Sequence, residues 1–407
     1  MKFDLRKIFV IISIVFISFM IIFYGSRMAY YYIKEHNKIK TLTLIDKITS
    51  SDNLINNESI IQDGDKYYFN GKNPNNYIFY SGLMYRILYI EKDTIYAISD
   101  EVITKLKYGE TSSFETSYIN EWLNKVETKD NTGIFINNLE NFDLYLKDKK
   151  ISLLDRETFA KIGATNSFVV EKDFWVLDND NALVVTEDGT LTKINNYDTF
   201  IGVKPVIKIK GINNYISGDG TEKNPYILEK RNVANTSNLY VGDYILYKNI
   251  LLRVIEKNED NIRVMSVKPI KDKKIFSYSK SKYDIKSSTN LGYYLNKEFI
   301  KKLDKKDLVE TIWNIGDYEI DYKSTFKESI KSYIGLPKIG DYFIQNINDG
   351  YLLTPNKEFI YVVDDKENIY INTTNNKLNI YPTFGLKKNL VITKGKGLKD
   401  NPYVIGG

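Results

Sequence analysis

Eleven residues close to the C-terminus, Gly395-Lys396-Gly397-Leu398-Lys399-Asp400-Asn401-Pro402-Tyr403-Val404-Ile405, restate an earlier stretch, Gly218-Asp219-Gly220-Thr221-Glu222-Lys223-Asn224-Pro225-Tyr226-Ile227-Leu228. Both read Gly-x-Gly-x-x-x-Asn-Pro-Tyr followed by two aliphatic residues. A closing phrase that occurs twice predicts two modules finished in the same way. The phrase reads as a tight turn entering a last strand. Its glycines supply positive φ, and its proline stands at the strand's start, where a missing N–H costs least. A phosphate loop is a poor reading, because Asn-Pro after the glycines favours extended chain over a helix N-terminus.

The correspondence runs through both modules. Met84-Tyr85-Arg86-Ile87-Leu88 matches Leu251-Leu252-Arg253-Val254-Ile255, and Thr94 to Ser99 matches Asn261 to Ser266, both at an offset of 167 residues. Each pair predicts two strands about a polar turn. Tyr118 to Asn124 matches Leu291 to Asn296, with a Leu-Asn pair after an aromatic at helical spacing. A second helix is expected over Leu153–Ile162, with Ser152 as N-cap and Asp155 three residues on. Its partner is expected over Leu336–Phe343, with Pro337 in the first turn. Phe174-Trp175-Val176-Leu177 and Ala182–Val185 pair with Gly350–Leu353 and Ile360–Val363 as strands. Gly202-Val203-Lys204-Pro205, continuing to Ile209, pairs with Gly385 to Ile392. The expected boundaries are 59–230 for module one and 238–407 for module two, joined by the short polar stretch Arg231–Ser237. Strands, helices, then strands make an α+β class.

Ahead of the modules, Lys2, Arg6 and Lys7 precede an apolar run over residues 8–24 broken only by Ser13 and Ser18. That length is near the lower end of what spans a bilayer, about 17–25 residues, and exceeds an ordinary signal-peptide core. It reads as a transmembrane signal anchor after a cytoplasmic tail, 1–7, with a cleaved signal peptide as the alternative. Basic residues on both sides leave the positive-inside rule undecided, and a short tail before a large domain favours modules outside. Residues 25–58 read as a juxtamembrane helix and a polar linker.

The chain has 407 residues, 57 basic against 52 acidic, 43% hydrophobic, with no cysteine and one histidine, His36. This supports real cores and gives no basis for nucleic-acid binding. Disulfides, thiolate metal sites and cysteine nucleophiles are excluded. A serine nucleophile lacks its histidine, since His36 lies in the stalk. Asp178-Asn179-Asp180-Asn181 and Asp63-Gly64-Asp65 read as turns before they read as calcium loops. No carboxylate pair stands out for acid–base work, and no cofactor is expected. The 33 tyrosines, with abundant Lys, Asn and Ile, fit an AT-rich genome first and aromatic ligand binding second. Four residues are candidates for ligand contact. Trp122 and Trp175 could stack on sugars, although a Trp in such patterns is more often a core anchor. Arg86 and Arg253 recur in both modules, which favours pairing with a carboxylate inside each module.

The strand Tyr85-Arg86-Ile87, the helix Trp122-Leu123-Asn124, the strand Phe174-Trp175 and the strand Gly202-Val203-Lys204-Pro205 together resemble an uncharacterised extracytoplasmic domain family of low-GC Gram-positive bacteria. Two tandem copies cover most of this chain. Lys204 stands where that family has Arg, and the second copy has Tyr294, Tyr351 and Lys388 in place of both Trp and the Pro. The closing phrase is similar to segments that finish modules in surface proteins of the same bacteria. The family's element order is reminiscent of the C-type-lectin-like fold. The resemblance implies a membrane-anchored cell-envelope protein whose modules bind or scaffold outside the membrane. Its expected partners are a cell-wall polymer or an envelope protein. The alternative is an envelope hydrolase acting on glycan or peptide with carboxylates.

Overall fold

The computed structural model describes residues 15–28, 42–50, 59–125, 134–179, 181–320, 323–324, 328–343 and 347–406. The chain divides into two units, Met1–Thr43 and Leu44–Gly407. In the first unit residues 15–28 are helical, and Phe16, Phe19, Ile21 and Ile22 are largely exposed. No helix among the described residues is long and apolar enough to cross a membrane. The expected tail 1–7, the start of the expected span 8–24, and His36 lie outside the described residues. So does much of the expected juxtamembrane stretch.

The second unit begins earlier than module one was drawn. Helix α1 (Leu44–Ile48) buries Leu44 and Ile48 completely. These residues are four apart and share one face. Ile45 packs where Gly211 leaves room, since a Cβ there would meet its side chain at 1.9 Å.

The unit is mixed α+β, mostly sheet with few helices. Its N-terminal half contributes β1 (Tyr77–Tyr80), β2 (Leu83–Glu91), β3 (Thr94–Ser99), β4 (Phe174–Asp178), β5 (Asn181–Val185), β6 (Val206–Lys210) and β7 (Tyr226–Ile227). Its C-terminal half contributes β8 (Tyr244–Tyr247), β9 (Ile250–Lys257), β10 (Asn261–Ser266), β11 (Gly350–Asn356), β12 (Phe359–Val363), β13 (Thr383–Lys387) and β14 (Tyr403–Ile405). The first large sheet runs β7-β1-β2-β3-β6 and the second β14-β8-β9-β10-β13, with further short strands at the edges. The outermost pairing is parallel in each, Tyr226 opposite Ile78 and Tyr403 opposite Ile245. Ile207 faces Ala97 as Phe384 faces Val264. A bulge falls between Ile87 and Tyr89 in one sheet and between Val254 and Glu256 in the other. The β1–β2 and β8–β9 hairpins turn on Ser81-Gly82 and Lys248-Asn249, all four with positive φ, as a two-residue hairpin of matching twist needs. β2 buries six of its nine residues and leaves none exposed, as a strand covered on both faces does. A smaller sheet holds β4-β5 in one half and β11-β12 in the other.

Helix α2 (Tyr118–Asn124) is capped by Ser117, which accepts from Asn120 N–H, and α4 (Leu291–Lys297) by Asn290. The Leu-Asn pair ending each has a definite task. Asn124 accepts from Ile151 N–H and donates to Ile151 C=O, both at 2.8 Å. Asn296 does the same to Ile334 at 3.0 and 2.9 Å. In each helix a side-chain amide thus satisfies both backbone groups of one buried residue, Ile151 or Ile334.

The structure corrects two expected helices. The first, α3, covers only Arg156–Lys161 and is capped by Asp155, whose carboxylate accepts from Thr158 N–H at 2.8 Å. Ser152 instead bridges to Val206, and Leu154 C=O accepts from Leu177 N–H, so Leu153 and Leu154 are buried as extended chain. Leu336–Phe343 is not helical. Pro337 C=O accepts from Leu353 N–H, Asp341 accepts from Lys338 N–H, and Gly340 and Phe343 have positive φ. The join is not a loose linker either, because Arg231 forks onto Asp243 at 2.8 and 2.7 Å, with Asp243 fully buried.

Candidate functional site

The four candidate residues separate sharply. Trp122 and Trp175 are completely buried and donate from Nε1 to Gly340 C=O at 3.3 Å and to Leu106 C=O at 3.0 Å. With both rings enclosed they are core anchors, and the sugar-stacking expectation is corrected. Arg86 is buried on β2 and fully engaged. Its Nε donates to Asn76 at 2.6 Å, one amino group donates to the Tyr77 hydroxyl at 3.0 Å, and Asp100 lies at 3.5 Å.

Arg253 holds the equivalent place on β9 and donates to the Tyr244 hydroxyl at 2.7 Å and to Gly242 C=O at 3.2 Å. Its guanidinium lies over the Phe343 ring, 3.2 Å from the centroid. Its carboxylate is not the one expected. The partner is Glu101 of the N-terminal half, at 2.6 Å, so the pair crosses the seam between the two large sheets.

The seam is tight there. A Cβ on Gly82 would stand 2.5 Å from Val241 C=O, and one on Gly242 would stand 2.4 Å from Gly82 C=O. Both glycines have positive φ, so two turns meet backbone to backbone. Beside this contact a cavity of about 420 Å³ opens, floored by Arg253, Glu101, Asp100 and Tyr244. Its mouth carries Glu222 and Lys223 from one closing turn and Lys399 and Asp400 from the other. All four mouth residues are exposed, and none is ion-paired to another of the described residues.

The turns that present these groups are built alike. Gly218 and Gly395 have φ of 103° and 114°, and Gly220 and Gly397 have 80° and 79°. Asp219 N–H donates to Asn224 C=O and Lys396 N–H to Asn401 C=O, each at 2.9 Å. Tyr77 N–H bonds Gly220 C=O, and Tyr244 N–H bonds Gly397 C=O, each at 2.8 Å. The turns therefore dock on β1 and β8 and aim their four charged side chains at one opening.

The electrostatics of the floor are uneven. Burial pushes the Asp100 carboxyl up, and Lys204 and Arg86 offset this only in part. Burial acts the same way on Glu101, but the Arg253 guanidinium and then Lys399 hold it below its ordinary value. Burial raises the Tyr244 hydroxyl to about 12, so it remains a hydrogen-bond donor. Among the described residues no cluster of His, Asp and Glu is grouped to hold a metal ion.

The charged residues of the mouth were not singled out in the sequence. They fill the variable positions of the closing phrase, whereas its shared positions build the turn. The available signal was their placement, two residues of opposite charge at the tip of each copy. No family model, curated protein or solved structure matches the chain.

Proposed function

We propose that this chain is a membrane-anchored envelope protein made of two copies of one module, and that it binds a ligand at the seam between them. Duplication is supported by matching strand order, matching bulges, matching turn dihedrals and registers that shift by constant offsets. The apolar run ending in the exposed helix 15–28 supports the anchor. The lectin-like fold and the Gram-positive domain family rest on element order and motifs alone.

One observation carries the binding reading. The cavity places two exposed cations and two exposed carboxylates, none ion-paired among the described residues, around the pair of buried Arg253 and half-buried Glu101, at a volume usual for small-ligand sites, about 300–1,000 Å³. A ligand with both signs of charge meets a partner for each. A short peptide segment with a free end, from a cell-wall polymer or an envelope protein, has that character. The test is sedimentation of the detergent-solubilised full chain with purified cell wall and, separately, capture from solubilised membranes. Retention by either, lost on Glu222→Ala with Lys399→Ala, is the expected result. Retention that ignores those substitutions would overturn the seam as the site.

A second reading, an envelope hydrolase, draws on one fact. Adjacent carboxylates in the cavity are pushed in opposite directions, Asp100 up and Glu101 down, as an acid and its partner base require. It predicts solubilisation of wall material by the full chain and loss of that turnover in Asp100→Asn. Unchanged wall would remove this reading and leave the binding one.

A further inference from the structure

The two halves differ in chemistry at one cross-strand pair of the large sheets. In the N-terminal half Tyr89 and Tyr96 face each other, and their rings stack at 4.2 Å and 12°. At the same offset in the C-terminal half stand Glu256 and Arg263, also opposite each other, joined at 2.6 Å. Asp341 completes the group on Arg263 at 2.6 Å. The bulge and the strand pairing around them are the same in both sheets. Two aromatic rings have therefore been exchanged for a buried ionic group without a change of backbone plan.

A cavity of about 640 Å³ lies against that group, lined by Glu256, Arg263, Asp341, Asn261 and Thr311 and closed on one side by residues of the N-terminal half, including Asn138. Arg263 is 5% exposed, and among the described residues its Nε has no hydrogen-bond partner; Arg231 Nε shares that state, but Arg263 also lines this cavity. A cavity beside a buried, unsatisfied guanidinium nitrogen points to a ligand that supplies an acceptor.

The lining holds four cationic side chains and five carboxylates, so a ligand of one net sign meets repulsion from one set as well as attraction from the other. A hydroxyl donates to a carboxylate and accepts from a guanidinium or ammonium group, and suits both. Asn261 and Thr311 add neutral partners, while Ile312, 71% exposed, offers apolar surface for C–H faces. We propose that this cavity is a second binding site, separate from the seam, for a neutral hydroxyl-rich ligand of the glycan class.

The test is saturation-transfer NMR on the full chain in detergent, with maltose and N,N′-diacetylchitobiose as probes and glucose 6-phosphate and glucosamine as charged controls. Transfer to at least one neutral disaccharide, exceeding that to both charged sugars, is expected. Glu310→Ala with Lys331→Ala changes only the exposed rim and should weaken binding roughly threefold to tenfold with the melting temperature unchanged. Glu256→Tyr with Arg263→Tyr, which installs the ring pair of the other half, should abolish it. The seam variant Lys399→Ala should leave it intact. No transfer to either disaccharide, equal transfer to the charged sugars, or indifference to the rim substitutions would overturn the proposal.

Discussion

Arg253 draws partners from both halves, Tyr244 and Gly242 from its own and Glu101 from the other. Removing one member of a buried pair strands the other, at about 3–5 kcal/mol. Glu101 keeps 38% of its side chain exposed, so solvent screening reduces the expected cost of Arg253→Met to about 1–2 kcal/mol. The pH dependence has a definite sign. The folded pKa of Glu101 is depressed, so its contribution is present above the unfolded value and is lost as pH falls through the folded one. Denaturant melts of wild type and Arg253→Met should therefore diverge at neutral pH and converge in acid. Lys204 is the opposite case. It is 3% exposed, with Val169 C=O at 3.4 Å as its hydrogen-bond partner, and burial lowers its pKa. A lowered lysine pKa means that the folded state gains stability as pH rises from the folded value toward the unfolded one. Lys204→Met should raise stability by about 1 kcal/mol at neutral pH and flatten the alkaline rise, as measured by the same melts. Residue types made part of this legible, since an Arg flanked by apolar strand residues must find a counter-charge. Which carboxylate it finds depends on two halves meeting, and spacing within one half carries no record of that. The tryptophans were ambiguous because the same ring suits a core and a sugar platform, and only burial separates them.

Among the elements, the closing turn is the clearest case of sequence dictating geometry. An alanine Cβ at Gly218 or Gly395 would stand 2.0 or 2.1 Å from the carbonyl oxygen of Pro225 or Pro402, on a backbone of positive φ. Neither atom can move without breaking the turn. Gly218→Ala and Gly395→Ala should each cost about 2–4 kcal/mol, and by similar amounts, whereas Gly64→Ala, in open space at φ 64°, should cost about 1 kcal/mol. Thermal melts of the three variants check the contrast. Helices α2 and α4 were readable because aromatic and Leu residues recur at helical spacing before a Leu-Asn pair, and the caps Ser117 and Asn290 act in the same place. The start of 153–162 and the whole of 336–343 were misread, because aliphatic residues three and four apart fit a helix equally well. Leu154 C=O and Pro337 C=O instead accept from Leu177 N–H and Leu353 N–H, farther along the chain.

At the scale of the molecule, the two large sheets share one continuous core. Trp122 and Phe135 pack with Tyr342 across the seam, Phe343 N–H donates to Ile103 C=O, and Lys257 pairs with Glu140. Two halves so joined should melt as one, giving a single calorimetric transition. Tyr342→Ala should lower it by about 3–5 kcal/mol without splitting it. The repeat announced two modules but not their fusion, because a residue shared by both copies carries no record of what it meets: Arg253 repeats Arg86, yet Arg253 pairs with Glu101 across the seam while Arg86 is held within its own half. We propose that this fusion creates a seat for a ligand with both signs of charge. Isothermal titration of the full chain with trialanine and with its N-acetylated, C-amidated form tests the proposal. The expected result is saturable heat with the free zwitterion, none with the blocked peptide, and binding roughly tenfold weaker in the Glu222→Ala, Lys399→Ala variant. Equal heats from both peptides, or none from either, would contradict it.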